Sequence, residues 1–185
     1  MLHKPSVRRW VLTGGLMSLL VGTAPLSAAP VVNEKRIMGW LETVFLRPQN
    51  LKLTAKLDSG AKTSSVSAEH IEHFTRNGEA WVRFDFVADK QSDPIKIERP
   101  LVRKAVIKER LSASSTREVV LLSICKNGIT YDTEFTLNDR SNFNYPMLLG
   151  RSFLADVALI DSGSTFLFKA ENDPCAQKDK SAPSH

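Results

Sequence analysis

The sequence predicts an all-β fold, a closed barrel with one or two short helices. Short runs in which apolar and polar residues alternate recur along the chain, and turn-forming residues separate them. The pair Asn127-Gly128 between two such runs is a strong hairpin signal. Many short strands at this spacing are typical of barrels, and 185 residues suffice for one domain with a sizeable core.

The individual elements follow from these runs in chain order. Strands are predicted at residues 37–45, 51–57, 80–88, 95–97, 101–107, 119–125, 129–137, 147–149, 157–160 and 165–168. A short helix is predicted at 68–76, because Ile71 and Phe74 would give it an apolar edge and Asn77-Gly78 could end it. The remaining elements are a brief helical turn at 150–154 and a mobile hairpin tip at the polar residues 108–117.

The candidate site lies at the end of the second predicted strand, where Asp58 is followed by Ser59, Gly60 and Ala61. A strand holds the backbone of Asp58 rigidly, and Gly60 permits a sharp turn that a side chain would strain. Ser59 can donate a hydrogen bond nearby. A carboxyl group placed in this way suits acid–base chemistry, although the tripeptide alone occurs in many loops.

The first 29 residues have the pattern of an export signal, with a positively charged start, an apolar stretch at 10–21 and small residues at 24–29. The sequence therefore predicts a signal peptide at 1–29, a linker at 30–36 and a periplasmic or secreted protein. An uncleaved N-terminal anchor is the alternative. The signal holds three of the 25 Lys and Arg residues and none of the 20 Asp and Glu, so the remainder is close to neutral and does not indicate a nucleic-acid partner.

Cys125 and Cys175 are the only cysteines in the chain. In an oxidising compartment they could pair and tie the tail to the domain. The alternative is that Cys125 is a small buried residue and Cys175 a free thiol in the tail. The polar composition from Glu171 onward predicts a disordered tail at 171–185.

Residues 58–65 resemble the active-site segment of retropepsin-like aspartic peptidases, and more closely that of the bacterial family often labelled ATP-dependent zinc protease. Later motifs in the right order extend this resemblance from about Gly39 to Phe168. They are Trp81-Val82-Arg83-Phe84, Glu98-Arg99-Pro100-Leu101, Glu134-Phe135-Thr136-Leu137, Asp139-Arg140-Ser141 and Tyr145-Pro146-Met147-Leu148-Leu149-Gly150-Arg151.

The resemblance implies a retropepsin-like (acid protease) barrel that hydrolyses peptide bonds. One carboxylate must take a proton from water while another gives one, and two carboxylates about 3 Å apart share a proton. In retropepsins the second aspartate comes from an identical subunit. The resemblance therefore implies a homodimer whose two copies of Asp58 form the dyad. Ser59 would cross-link the two loops, Gly60 would admit the substrate backbone, and residues 109–116 would form a flap over the peptide.

Lys62 stands where the retroviral pattern has an acid that can pair with the arginine matching Arg151. Arg151 therefore needs another partner, for which Asp139 and Asp161 are the candidates. Together with Thr63, the two cations form the predicted substrate-binding set, and they would favour acidic peptides. This preference agrees with the family's frequent association with glutamate-adding ligases, whereas a solvated Lys62 is the alternative.

No cofactor or metal is predicted. His70 and His73 lack a third ligand at a suitable spacing, and no glycine-rich phosphate loop is present, so the zinc and ATP labels find no support in the sequence. Asp161-Ser162-Gly163 repeats the tripeptide. A turn at Gly163 between the last two strands is the simpler interpretation, and a dyad within one chain is the alternative.

The resulting prediction is an exported aspartic endopeptidase that acts on a peptide or protein substrate as a homodimer. The alternative is an inactive retropepsin-fold module that binds peptides or a partner in the periplasm, because a fold does not settle a function. A structural lid for a membrane-bound partner is a third interpretation.

Overall fold

The computed structural model describes residues 34–89, 91–107 and 114–177, and it confirms the predicted all-β class. The predicted signal peptide, most of the linker, residues 108–113 of the predicted hairpin tip and the end of the tail lie outside these ranges. In the described part, no helix is long and apolar enough to span a membrane. The strands are β1 (Arg36–Leu46), β2 (Leu51–Leu57), β3 (Ser64–Ser67), β4 (Glu69–Arg76), β5 (Glu79–Phe86), β6 (Ile95–Pro100), β7 (Arg103–Ile107), β8 (Ser115–Lys126), β9 (Ile129–Asn138), β10 (Met147–Leu149) and β11 (Ala158–Thr165). The helical elements are α1 (Arg151–Val157) and the 3₁₀ turns Ala170–Asn172 and Pro174–Ala176.

Two sheets build the fold. The larger has eight strands in the order β11-β1-β2-β10-β3-β9-β8-β7, and the smaller consists of β4-β5-β6. Phe45 and Leu46 of β1 also pair with β8, which brings distant parts of the larger sheet together. This contact is short, and β7 and β11 do not pair with each other, so the barrel is not strictly closed.

The buried faces of both sheets contribute to one hydrophobic core. In β2 the alternating residues Leu53, Ala55 and Leu57 are buried, and in β5 Val82 and Phe84 are buried in the same way. Full burial of a large apolar side chain contributes about 1.5–3 kcal/mol. The core therefore anchors β2 up to its last residue, directly before Asp58.

The predicted helix at 68–76 is wrong, because these residues form strand β4, which pairs with β5 in an antiparallel ladder. Asn77 and Gly78 have φ angles of 52° and 82° and form the tight turn between the two strands. A left-handed Asn-Gly pair can end a helix or turn a hairpin, and here it turns a hairpin. The pair Asn127-Gly128 joins β8 to β9, as predicted.

The prediction of two final strands with a turn at Gly163 is also wrong. A single strand, β11, runs parallel to β1. Gly39 of β1 pairs with Asp161 and Leu41 pairs with Thr165, so the register shifts between these two pairs and β11 forms a bulge there. A side chain at Gly39 would lie 2.6 Å from the Ser164 carbonyl oxygen, so the resulting bulge packs directly on this glycine. The separate strand predicted at 165–168 is therefore not formed.

The C-terminal segment is tied to the domain. Cys125 and Cys175 form a disulfide, which settles the alternatives in favour of pairing. The Asp173 carboxylate accepts hydrogen bonds at 3.0 and 3.2 Å from the backbone N–H groups of the turn between β8 and β9. The prediction of disorder is wrong for residues 171–177, which contribute to the two 3₁₀ turns. A distant cross-link holds this segment, and composition alone does not reveal it.

A buried ion pair joins β1 to β8. Lys126 Nζ lies 2.9 Å from Glu42 Oε2, and the two side chains are 3% and 0% exposed. Glu42 Oε1 also accepts hydrogen bonds from the N–H groups of Gly39, at 2.8 Å, and of Leu167, at 3.1 Å. This one carboxylate therefore connects β1, β8 and the chain that follows β11.

Candidate active site

Asp58 follows β2 directly, and its backbone is held by the neighbouring strand. β10 runs parallel to β2 with Leu149 beside Leu57, and the N–H of Asp58 donates to the Leu149 carbonyl oxygen at 2.9 Å. This hydrogen bond extends the ladder by one residue beyond the strand. Asp58 is thus placed by the sheet itself, as the sequence predicted from its position.

Both oxygens of the Asp58 carboxylate have partners. Oδ1 accepts hydrogen bonds from the N–H groups of Gly60, at 2.9 Å, and of Ala61, at 3.2 Å. Oδ2 lies 3.1 Å from Lys56 Nζ, and the Asp58 side chain is 24% exposed. Burial raises the pKa of Asp58, but the hydrogen bonds to its carboxylate and the charge of Lys56 outweigh burial, so the pKa lies below its ordinary value. The carboxyl group is therefore ionised at neutral pH, and this is the form that accepts a proton.

Sequence reasoning missed Lys56, although its signal was present. Lys56 and Asp58 are two residues apart at the end of a strand, and residues with this spacing project to the same face. The distance of 3.1 Å between Nζ and Oδ2 follows from that geometry.

The loop after Asp58 rests on the start of α1. Arg151 Nη1 donates to the carbonyl oxygens of Ser59, at 2.9 Å, and Gly60, at 2.8 Å. The backbone N–H of Arg151 donates to the Ala61 carbonyl oxygen at 2.9 Å. The expectation that Arg151 pairs with Asp139 or Asp161 is therefore wrong, because backbone carbonyls of the Asp58 loop take that place. The predicted cross-link through the Ser59 side chain to a second copy stays a prediction.

Gly150 allows this close contact between α1 and the loop. A side chain there would lie 2.6 Å from the carbonyl oxygen of Thr63. The N–H of Gly150 also donates to the buried Ser64 Oγ at 3.1 Å. The motif that ends in Gly150-Arg151 thus supports the candidate site through its backbone and one guanidinium.

A cleft of about 620 Å³ opens beside the loop. Ala61, Lys62 and Thr63 line it, so two of the three predicted substrate-binding residues lie there, whereas Asp58 and Arg151 do not line it. Among the described residues that line this cleft, none is acidic. Its cationic residues are Lys62, Arg103, Lys104, Arg117 and Arg140.

Sequence reasoning gave no role to Arg140, which is one of these cations. Its guanidinium is buried, with Nη1 donating to Ser65 Oγ at 2.9 Å and Nε donating to the Tyr145 carbonyl oxygen at 3.0 Å. The ring of Phe143 lies over the guanidinium, with its centroid 4.5 Å away. The motif Asp139-Arg140-Ser141 was visible in the sequence, but the burial of its arginine depends on β3 and could not be inferred from it.

The repeated tripeptide reproduces the local geometry of the Asp58 loop. Asp161 Oδ1 accepts a hydrogen bond from the N–H of Gly163 at 2.9 Å, and the register places Asp161 beside Gly39 of β1. A hydrogen bond from the Ser164 side chain and that from Gly163 lower the pKa of Asp161. The hydrogen bonds of the Asp58 and Asp161 carboxylates involve separate sets of residues, so this arrangement gives no support to a dyad within one chain.

His70 and His73 lie on strand β4 and contact carboxylates. His70 Nδ1 lies 3.2 Å from Asp85 Oδ2, and His73 Nε2 lies 3.1 Å from Glu118 Oε1. Over the residues that the structure describes, no cluster of three or more histidine, cysteine or acidic side chains is arranged to hold a metal ion.

Comparison with known proteins extends these observations. Residues 37–171 match the model of the RimB-like family, which is described as the retropepsin-like aspartic endopeptidase RimB. A solved structure from Legionella pneumophila subsp. pneumophila str. Philadelphia 1, a protein of unknown function (DUF785), superposes with a TM-score of 0.63 and 32% identity. The match covers 72% of this chain and 98% of that protein.

Two curated relatives are each named "Probable alpha-L-glutamate ligase". The protein from Desulfotalea psychrophila (strain LSv54 / DSM 12343) is 37% identical over 111 residues, which cover 59% of this chain and 24% of that protein. The protein from Shewanella pealeana (strain ATCC 700345 / ANG-SQ1) is 32% identical over 123 residues, which cover 65% of this chain and 27% of that protein. The chain therefore spans about a quarter of the length of these relatives.

The family match begins one residue after the start of β1 and includes the Asp58 loop, the cleft and β11. It confirms the resemblance predicted from residues 58–65 and the later motifs. The chain belongs to the RimB-like family of retropepsin-like aspartic endopeptidases.

Proposed function

We propose that this chain is an aspartic endopeptidase that acts as a homodimer, with the Asp58 carboxylates of two copies forming the catalytic dyad. One observation carries the proposal: Asp58 is a carboxylate at a strand end, fixed by the N–H groups of Gly60 and Ala61 and placed beside an open cleft. Hydrolysis of a peptide bond without a metal needs one carboxylate to remove a proton from water and a second to give one. A second copy supplies the second carboxylate by symmetry.

Lys56 affects the pH at which such a dyad works. Two carboxylates close together raise the pKa of one of them, because both cannot easily be ionised. Lys56, 3.1 Å from Asp58 Oδ2, acts in the opposite direction by stabilising the ionised form. The dyad therefore holds its single shared proton at lower pH than it would without this lysine, and we expect activity at mildly acidic pH.

The cleft supports a preference for acidic peptides. Lys62 is exposed and lines the cleft with four arginine and lysine residues, and none of the described lining residues is acidic. Lys62 and Thr63 are therefore kept as substrate-binding residues, whereas Arg151 acts on the loop through Ser59 and Gly60. The name of the relatives, alpha-L-glutamate ligase, points to the same chemistry, since glutamate carries the carboxylate that such a cleft attracts.

Export to the periplasm or the outside of the cell is part of the proposal. The charge and apolar pattern of residues 1–29 supports it. The disulfide between Cys125 and Cys175 also supports it, because disulfides persist mainly in oxidising compartments.

A second candidate is the inactive module that binds peptides or a partner. The ion pair between Lys56 and Asp58 favours it, because a carboxylate that already faces a lysine does not need a second carboxylate or a shared proton. In this case the cleft would bind acidic chains without cutting them.

Peptide hydrolysis by the wild type, Asp58→Asn and Asp161→Asn proteins separates the candidates. Asp161→Asn is the matched control, because Asp161 has the same tripeptide and the same glycine N–H contact. A peptide library at acidic and neutral pH should be cut by the wild type and the control, and Asp58→Asn should abolish cutting. Sedimentation should give a dimer under the same conditions. A wild type that stays monomeric and cuts nothing would support the binding module, and loss of activity in Asp161→Asn would support a dyad within one chain.

A further inference from the structure

We infer that Arg140 is the specificity-determining residue of the cleft and that its guanidinium binds a carboxylate of the peptide. This inference rests on the proposed function, because it assigns a role within the same site. The proposed role of Arg140 is in substrate recognition, not in the reaction itself. The test therefore includes a binding measurement that does not depend on catalysis.

Arg140 is a buried cation that has no ion-pair partner among the described residues. Arg140 is 6% exposed, and its two hydrogen-bond acceptors, Ser65 Oγ and the Tyr145 carbonyl oxygen, are both neutral. Within the described ranges, Arg140 forms no ion pair, whereas Arg103 in the same cleft lies 2.6 Å from a Glu134 carboxylate oxygen. A buried cation is unfavourable unless an anion faces it. The carboxylate that pairs directly with Arg140 is therefore expected from outside the described chain.

Arg140 lines the cleft that adjoins the Asp58 loop, together with Ala61 and Lys62 of that loop. Burial lowers the pKa of Arg140, the charge of Arg117 lowers it further, and the charge of Asp58 raises it. Arg140 is thus within electrostatic reach of Asp58, and it also lines the cleft. A peptide lying in this cleft beside Asp58 would bring its side chains to the guanidinium.

The Arg140 guanidinium is also held in place before any ligand binds. Two hydrogen bonds and the ring of Phe143, 4.5 Å from the guanidinium, fix its plane. A prearranged arginine loses little side-chain entropy on binding, and its planar fork matches a carboxylate. Lys62 is exposed and has neither restraint, so it adds attraction more than selectivity.

The hydrogen bond from Arg140 to the Tyr145 carbonyl oxygen also ties down the loop before β10. A purely structural role would make Arg140 important without any contact to substrate. Such a role would affect all peptides equally, so the test compares two peptides that differ only in charge.

The experiment measures kcat/KM for a glutamate-containing peptide and its glutamine counterpart. Wild type, Arg140→Met, Arg140→Lys and Arg99→Met proteins are compared, each with its thermal unfolding curve. Arg99 is the matched control, because burial also lowers its pKa but it lies on β6 and does not line the cleft. Each peptide is made with a free and with an amidated C-terminus, which separates a side-chain carboxylate from a terminal one.

We expect the wild type to prefer the glutamate peptide by about ten- to a hundredfold, the range for one hydrogen-bonded charged group. In Arg140→Met the preference should fall close to one while hydrolysis of the glutamine peptide persists, and Arg140→Lys should keep part of the preference. Arg99→Met should keep all of it. A preference unchanged in Arg140→Met, an equal loss for both peptides, or no preference in the wild type would overturn the inference.

The binding arm uses tetraglutamate and tetraglutamine in isothermal titration calorimetry with Asp58→Asn protein, with and without Arg140→Met. Arg140-dependent binding of tetraglutamate supports the inference even if the wild type proves unable to cut any peptide, a result that would refute the proposed function alone. Binding of tetraglutamate that does not depend on Arg140 refutes the inference and leaves the proposed function standing.

Discussion

Replacing Lys126 with methionine should strongly destabilise the fold, because it leaves Glu42 as a buried charge without its cation. Removing one partner of a buried ion pair costs about 3–5 kcal/mol. Glu42 keeps two backbone donors, the N–H groups of Gly39 at 2.8 Å and Leu167 at 3.1 Å, so the lower end is expected, about 3 kcal/mol. For a domain of this size, that corresponds to a fall in Tm of roughly 6–12 °C.

The double variant Glu42→Gln with Lys126→Met provides the sharper test. Glutamine keeps an oxygen that can accept from the two backbone N–H groups, and no charge remains to be neutralised. The double variant should therefore recover most of the loss and lie within about 1–2 kcal/mol of the wild type. A double variant that is no more stable than Lys126→Met would show that desolvated charge is not the cause.

The measurement is urea unfolding at neutral pH without reductant, followed by tryptophan fluorescence. Lys96→Met is the control, because Lys96 and Asp85 form an ion pair at 3.5 Å in which the lysine side chain is 62% exposed. A pair of this kind contributes about 0–1 kcal/mol. A cost of Lys126→Met no larger than that of this control would refute the dependence of the buried Glu42 carboxylate on Lys126.

Three further predictions concern the site and its supports. In Lys56→Met, the acid limb of the pH profile of peptide hydrolysis should move to higher pH, because a cation that lowers the pKa of Asp58 is lost. The variant should also lose less stability on acidification, since a depressed pKa in the folded state gives stability at neutral pH that disappears as the pH falls through it. An unmoved acid limb would contradict both expectations. Cys175→Ser should lower the free energy of unfolding by roughly 2–5 kcal/mol, because the disulfide closes a loop with a sequence separation of 50 residues, and dithiothreitol should have no further effect on this variant. Gly150→Ala should lower the free energy of unfolding in urea by about 1–3 kcal/mol and reduce peptide hydrolysis, because the new methyl group would lie 2.6 Å from the Thr63 carbonyl oxygen. Full activity of this variant would contradict the expectation.

The fold was predictable where the sequence pattern is local and has one meaning. The alternation that ends at Asp58 predicted β2 correctly, because each second residue faces the core. The helix predicted in the region of β4 was wrong for a physical reason. Ile71 packs against the core, whereas Phe74 contacts Trp81 on the outer face, so their spacing of three residues joins opposite faces of a strand and imitates one face of a helix.

The site was predictable only in its local part. Asp58, Gly60 and Ala61 form hydrogen bonds within four residues, and the sequence shows such a turn directly. The partners of Arg151 are carbonyl oxygens some ninety residues away, and one of the two acceptors of Arg140 lies on β3. Contacts between residues far apart in the chain form only when the sheet assembles. The sequence therefore indicated that Arg151 has a partner, but it suggested the wrong residues for that partner.

The two Asp-Ser-Gly segments show what the fold adds to a motif. In both, an aspartate oxygen accepts from the glycine N–H two residues later at 2.9 Å, a local contact that needs no residue outside the tripeptide. Around Asp58, however, β10 binds the backbone N–H, α1 supports the loop and a cationic cleft adjoins it. Around Asp161 there is an exposed bulge on an edge strand. The local turn therefore shapes the carboxylate equally well in both places, and the supports that could make it reactive surround Asp58.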